Sequence, residues 1–294
     1  MDVDTCINEY LDMAPAVFPV EGVISGSNLS KFVKAVRGKQ RFDPAPLEEA
    51  VKRLVEKHVT DRATKGKDTS LRFEASRGNK SPRCKVYGTC SLCLRSQADE
   101  ESRFVCATSE KLGKHVRFRS YESSWNDIDD CPIWQACRAT SAAPTFFPPM
   151  VIGKPPSAYV DGGLGYNNPI RLLLDEARHI WPRAREIGCI VSIGTGVLTS
   201  KDIGKTIKPL FESLEAMATD TERVAREFRE EMKHRYGVEQ KVYFRFNVQH
   251  GLEQVGLEEW KEMDRTKVAT QDYAIEEWSQ IEACASQLHK PTGT

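Results

Sequence analysis

The chain has 294 residues, 40% of them hydrophobic, and its 42 basic residues balance its 42 acidic ones. That is apolar side chain enough for one large core or two small ones, and a neutral chain sets up no overall field that would favour nucleic acid or an anionic membrane. MDVDTCINEYLDM at the N-terminus has Asp2 and Asp4 where a secretory leader needs positive charge, no window has the apolar length of a membrane span, and nine cysteines follow no repeating framework; the expectation is a cytoplasmic chain with reduced thiols.

In chain order, PLEEAVKRLVEKHV predicts an amphipathic helix with Leu47, Val51, Leu54, Val55 and Val59 on one face. Residues 62–85 carry eight Lys or Arg against Asp68 and Glu74, with Gly66, Gly78 and Pro82 breaking any period, and read as a solvated loop. Cys90 and Cys93 form a C-x-x-C flanked by Cys84 and Cys106. Zinc is the alternative these four raise, but without a second close pair or a histidine at ligand spacing they read as incidental, so no metal or cofactor is expected.

FVCAT and VRFRSY then predict strands, IWQACRATSAA a helix, AYV a strand, PIRLLLDEARHIW a helix and CIVSIG an apolar strand. Strands separated by helices predict an α/β fold with a parallel sheet covered on both faces. SSWNDIDDCP, holding Asp129 and Asp130, reads as a solvated turn. SIGTGVLTSK has Thr199 where G-x-G-x-x-G needs its third glycine, so it reads as a strand-terminal turn and not a phosphate loop. Residues 210–294 are mainly helical. Leu210, Leu214, Met217, Val224, Phe228 and Met232 form a stripe that suits domain packing, with a lipid groove as its other reading. KVYFRFNV interrupts the helices, and Val242, Phe244, Phe246 and Val248 alternate as in a half-buried strand.

The segment AYVDGGLGYNNPIRLLLDEA places Asp161 at the carboxyl end of a predicted strand, where open parallel sheets carry their chemistry. Gly162 and Gly163 clear the flank of side chains so that another group can approach. Asn168 suits a helix N-cap and Pro169 the first helical position. Asp161 therefore has two readings, a general base and a turn residue bonding its own backbone.

Taken together, ACRATSAAPTFFPP at 136–149, YVDGGLGYNNPI and CIVSIGTG resemble the second half of a patatin-like phospholipase domain. The resemblance implies hydrolysis of lipid acyl esters by a Ser-Asp dyad, with Asp161 as the base of the D-G-G motif and Gly162 and Gly163 supporting it. It also implies a lipid or acyl ester substrate and a transient membrane surface as partners, with no nucleic acid. The family's G-x-S-x-G nucleophile turn and glycine-rich oxyanion loop do not occur in these residues; GVISGSNLS offers Gly22, Ser25 and Gly26 at the wrong spacing. The expectation is an incomplete domain over residues 1–209 that starts inside the fold and is inactive alone, followed by a helical region over 210–294. Residues 87–103 interrupt what the resemblance makes one strand, CKV running into FVCAT, and read as an insertion. A relative that binds lipid or a partner without turnover is the alternative.

Overall fold

The computed structural model describes residues 2–19, 40–58, 66, 68–72, 103–125, 130–182, 187–197, 208–237, 241–252, 255–256 and 258–289. They fall into two compact units, Met1–Tyr166 and Asn167–Thr294. The α/β class is the one the sequence predicts.

In the first unit, helices α1 (Val3–Val17) and α2 (Ala45–His58) precede strands β1 (Phe104–Ser109) and β2 (His115–Arg119), helix α3 (Ile133–Thr140), strands β3 (Met150–Ile152) and β4 (Ser157–Asp161), and the single turn α4 (Gly163–Tyr166). Helix α1 begins at Asp2, whose carboxylate accepts the Thr5 N–H at 2.8 Å. Helix α2 buries Leu47, Val51, Leu54 and Val55 as the periodicity requires, while Val59 lies outside the described residues. The strands form one sheet in the order β2-β1-β4-β3.

Here the structure corrects the expected strand direction, because every neighbour in this sheet is antiparallel. The connections explain two of the three pairings. Residues 110–114 and 153–156 join β1 to β2 and β3 to β4, and links this short close hairpins, whereas a parallel pair needs a crossover of a dozen or more residues. Gly113, at φ +62°, makes the first turn, its N–H donating to Ser109 O at 2.8 Å. Helix α3 covers one face of the sheet, and Ala136 and Ala139 pack with Ala107, Phe118, Ile152 and Tyr159. The Phe118 and Tyr159 rings meet edge to face at 5.3 Å.

Part of the basic stretch read as a solvated loop is built into this unit. Leu71 N–H donates to Cys131 O and Ile133 N–H to Thr69 O, Thr69 is buried and Leu71 packs on the core. Asp130 does keep to the surface, where it accepts from the Ser70 hydroxyl; Asp129 lies outside the described residues.

The second unit contains α5 (Ile170–Ile180), β5 (Ile190–Ile193), α6 (Lys208–Tyr236), β6 (Tyr243–Phe246), a 3-10 turn (Trp260–Glu262), α7 (Met263–Glu276) and α8 (Trp278–Leu288). Strands β5 and β6 pair in parallel, so the expected parallel arrangement is found in this pair. Ile170, Leu174, Ile190, Phe228, Met232, Val242 and Tyr243 form the core, which supports the packing reading of the α6 stripe at Phe228 and Met232. The expectation of a half-buried β6 is corrected: Val242, Tyr243 and Phe244 are all buried. The Phe228 ring stands 4.9 Å from Tyr243 and covers the face that alternation assigned to solvent.

The expected Asn168 cap is not made either. Helix α5 starts at Ile170 without a side-chain cap. The Asn168 amide instead lies buried, donating to Thr221 O and accepting from Ser192 Oγ, both at 3.4 Å. Two partners distant in sequence take the side chain away from the helix end. Gly194 N–H donates to Phe246 O at 2.7 Å, and Gly196 N–H to Asn247 Oδ1 at 2.8 Å; SIGTG thus leaves its strand through a turn held by the neighbouring strand.

Candidate active site

Asp161 is the last residue of β4, paired across the sheet with Ala107. Its N–H donates to Ala142 O at 3.0 Å, which ties the strand end to the segment following α3. The next residue has no room for a side chain: a Cβ on Gly162 would lie 2.4 Å from Cys106 O and 2.6 Å from Cys106 C, both in the backbone of β1. The close approach that the glycines predicted is therefore an approach of β1 to the chain behind Asp161. From below, the Thr140 hydroxyl donates to the same Cys106 carbonyl at 2.6 Å. Gly162 O accepts the Tyr166 N–H at 3.0 Å and closes the turn of α4.

This framework aims one carboxylate. Asp161 Oδ1 accepts the Gly163 N–H at 2.7 Å, the turn bond that the second reading predicted. Among the described residues the carboxylate accepts no other hydrogen bond. Burial dominates its electrostatics and pushes the carboxyl up to about 6, against a smaller lowering from the Gly163 N–H. The two readings are thus compatible, because one oxygen serves the turn and the other is left for a proton.

Several contributors were not singled out from the sequence. Thr140 and Ala142 hold the strand end, and ACRATSAAPTFFPP marks their segment without marking their bonds. Arg138 is 2% exposed. Its Nη2 donates to Pro148 O at 2.7 Å, its Nε lies 3.5 Å from Glu48 Oε1, and its guanidinium sits 5.2 Å from the Phe147 ring centre. Burial lowers its pKa, a cost accepted where the charge pins both α2 and the chain after α3. Thr145 in that chain has φ 73°, an unfavourable backbone for a β-branched residue, and its carbonyl accepts the Arg41 N–H at 2.8 Å. His115, the first residue of β2, stacks on Tyr166 of α4 with ring centres 4.5 Å apart.

Of the zinc alternative, Cys84, Cys90 and Cys93 lie outside the described residues, while Cys106 is buried in β1 against Gly162. Among the described residues no group of three or more His, Cys, Asp or Glu is placed to hold a metal ion, and no helix is long and apolar enough to cross a membrane. Ser25 and the rest of GVISGSNLS also lie outside the described residues, as do residues 87–102 of the expected insertion.

Parts of this chain are similar to known proteins. The family model described as patatin-like phospholipase matches residues 19–174, more than half of the chain, and that span includes Asp161. The calcium-independent phospholipase A2-gamma of Rattus norvegicus is 42% identical over 97 residues, which are 31% of this chain and 12% of that protein. Patatin-like phospholipase 1 of Plasmodium falciparum is 29% identical over 210 residues, covering 59% of this chain and 30% of that one. Phospholipase A I of Arabidopsis thaliana is 36% identical over 69 residues, 24% of this chain and 5% of its own length. The chain thus spans less than a third of the length of these curated relatives.

Proposed function

This chain belongs to the patatin-like phospholipase family, and we propose that its part in the family's chemistry is to supply the general base, Asp161, for hydrolysis of lipid acyl esters. The observation that carries the reading is the state of that carboxylate. It is raised to about 6 by burial, accepts one backbone N–H, and leaves an oxygen unengaged among the described residues. A base with that pKa is mostly ionised at neutral pH and is still a useful proton acceptor.

In the proposed reaction Asp161 takes the proton of a serine hydroxyl as the serine oxygen attacks the ester carbonyl. It then returns the proton to the leaving alcohol and repeats the cycle with water. The Gly163 N–H holds one carboxylate oxygen in place, and Gly162 keeps the strand end against β1. The serine belongs to a G-x-S-x-G turn and the oxyanion donors to a glycine-rich loop, neither of which occurs within the 294 residues. Without them the covalent route and its largest electrostatic term are missing, so the chain alone is proposed to be inactive towards esters. We take residues 1–209 as the family domain and 210–294 as an appended, mainly helical region. Substrates are lipids or other acyl esters met at a membrane surface. The missing serine also favours a second reading, a relative that binds lipid or a partner without turnover.

Hydrolysis of a short-chain nitrophenyl ester separates the two. The chain alone should give background rates that Asp161→Asn leaves unchanged. Joined to an upstream segment from a relative that carries the glycine-rich loop and G-x-S-x-G, it should gain activity, and Asp161→Asn should then remove it by about a hundredfold or more. A joined chain that folds but stays inert supports the non-catalytic reading. Hydrolysis by the chain alone that depends on Asp161 overturns the claim of an incomplete site.

A further inference from the structure

A pair of thiols in the second unit serves none of the chemistry above. Cys189 directly precedes β5, and Cys284 lies on α8. The two thiols are close enough for each to perturb the other's protonation. One turn further along α8, Gln287 Nε2 donates to Gly188 O at 2.7 Å. Residues 284 and 287 are on one helix face, so two adjacent residues before β5 meet two neighbouring positions of the helix. The contact is anchored on both sides. Cys189 is half-buried, whereas Cys284 is 5% exposed, and an oxidant therefore reaches Cys189 first.

We propose that Cys189 and Cys284 are a site of oxidative modification, closing to an intrachain disulfide that staples α8 to the start of β5. The oxidant is a hydroperoxide. Cys189 loses its proton and its sulfur attacks the peroxide oxygen; the O–O bond breaks and a sulfenic acid forms, with an alcohol or water leaving. Cys284 then loses its proton and attacks the sulfenic sulfur; the S–S bond forms, the S–O bond breaks and water leaves. Two electrons pass from the sulfurs to the peroxide, and two thiols plus one hydroperoxide give one disulfide, one water and one alcohol or second water. Burial, together with Cys284, pushes the Cys189 thiol up to about 12, and burial raises Cys284 as well. Both thiols are therefore protonated at neutral pH, which makes the pair a slow responder to sustained oxidant. Its closure accelerates about tenfold per pH unit as the thiolate fraction grows.

The test is peptide mapping of the full chain after exposure to hydrogen peroxide at mildly alkaline pH, without reductant. The expected product is a cross-linked peptide pair holding Cys189 and Cys284, formed faster as pH rises, reversed by dithiothreitol, and accompanied by slowed amide exchange over residues 278–288. Cys189→Ser or Cys284→Ala should abolish this cross-link only. Over-oxidation of Cys189 with Cys284 untouched, pairing of Cys189 with a different cysteine, or survival of both thiols while other cysteines oxidise would each overturn the proposal. Because Cys284 is buried and its variant can fail to fold, the map of the unmutated chain decides on its own.

Discussion

Replacing Asp161 by asparagine should stabilise the protein, and by more the higher the pH. The carboxyl lies at about 6 in the folded chain against an ordinary value of 3.8, chiefly through burial. A carboxyl raised on folding binds its proton more tightly in the folded state, so stability falls as pH rises through the window between those two values and then levels off. The gap of roughly two units corresponds to about 3 kcal/mol at full ionisation, taking about 1.4 kcal/mol per unit. Asparagine keeps the oxygen that accepts the Gly163 N–H and carries no charge to desolvate. Integrating between the two pKa values, the variant should gain about 1 kcal/mol near pH 4.5 and about 3 kcal/mol near pH 8. Urea denaturation of both proteins at the two pH values reads the difference directly. An equal gain at both, or a loss that grows with pH, would refute the claim that Asp161 is held in a desolvated, raised state.

Three further substitutions probe the support of that site and the second core. Gly162→Ala drives a Cβ into the Cys106 carbonyl and should cost about 3 kcal/mol or more, or leave the protein insoluble; unchanged urea stability would mean that β1 can move away. Thr140→Val removes the donor to the buried Cys106 carbonyl and should cost about 1–2 kcal/mol in the same assay, with Thr140→Ser recovering most of it. Phe228→Ala empties a fully buried site against Tyr243 and should cost about 3–5 kcal/mol, measured by thermal or urea unfolding.

Local pattern carried much of the fold. The apolar face of α2, strands β1 and β2, helices α3 and α5 and the strand end at Asp161 follow from residue spacing and turn chemistry that act within a few residues. Partners far along the chain decided the rest. Asn168 has the chemistry of a cap, yet Ser192 and Thr221 take its amide. Tyr243 occupies a nominally exposed position of β6, yet Phe228 covers it. Alternation of strands and helices suggested parallel pairing, while the short links after β1 and β3 made hairpins of those strands. At the site, Asp-Gly-Gly announced the carboxylate. The reason for its first glycine is the Cys106 backbone, more than fifty residues earlier in the chain, and no local signal holds that pairing.

The pH dependence of kcat/KM for the domain completed with a G-x-S-x-G segment tests the central claim most directly, since it reports the free enzyme's essential base. With Asp161 as that base, the rate should fall about tenfold per pH unit below a midpoint of about 6, and Asp161→Asn should abolish the limb along with most of the activity. Activity that stays level down to about pH 4.5, or a limb that survives Asp161→Asn, would contradict the assignment.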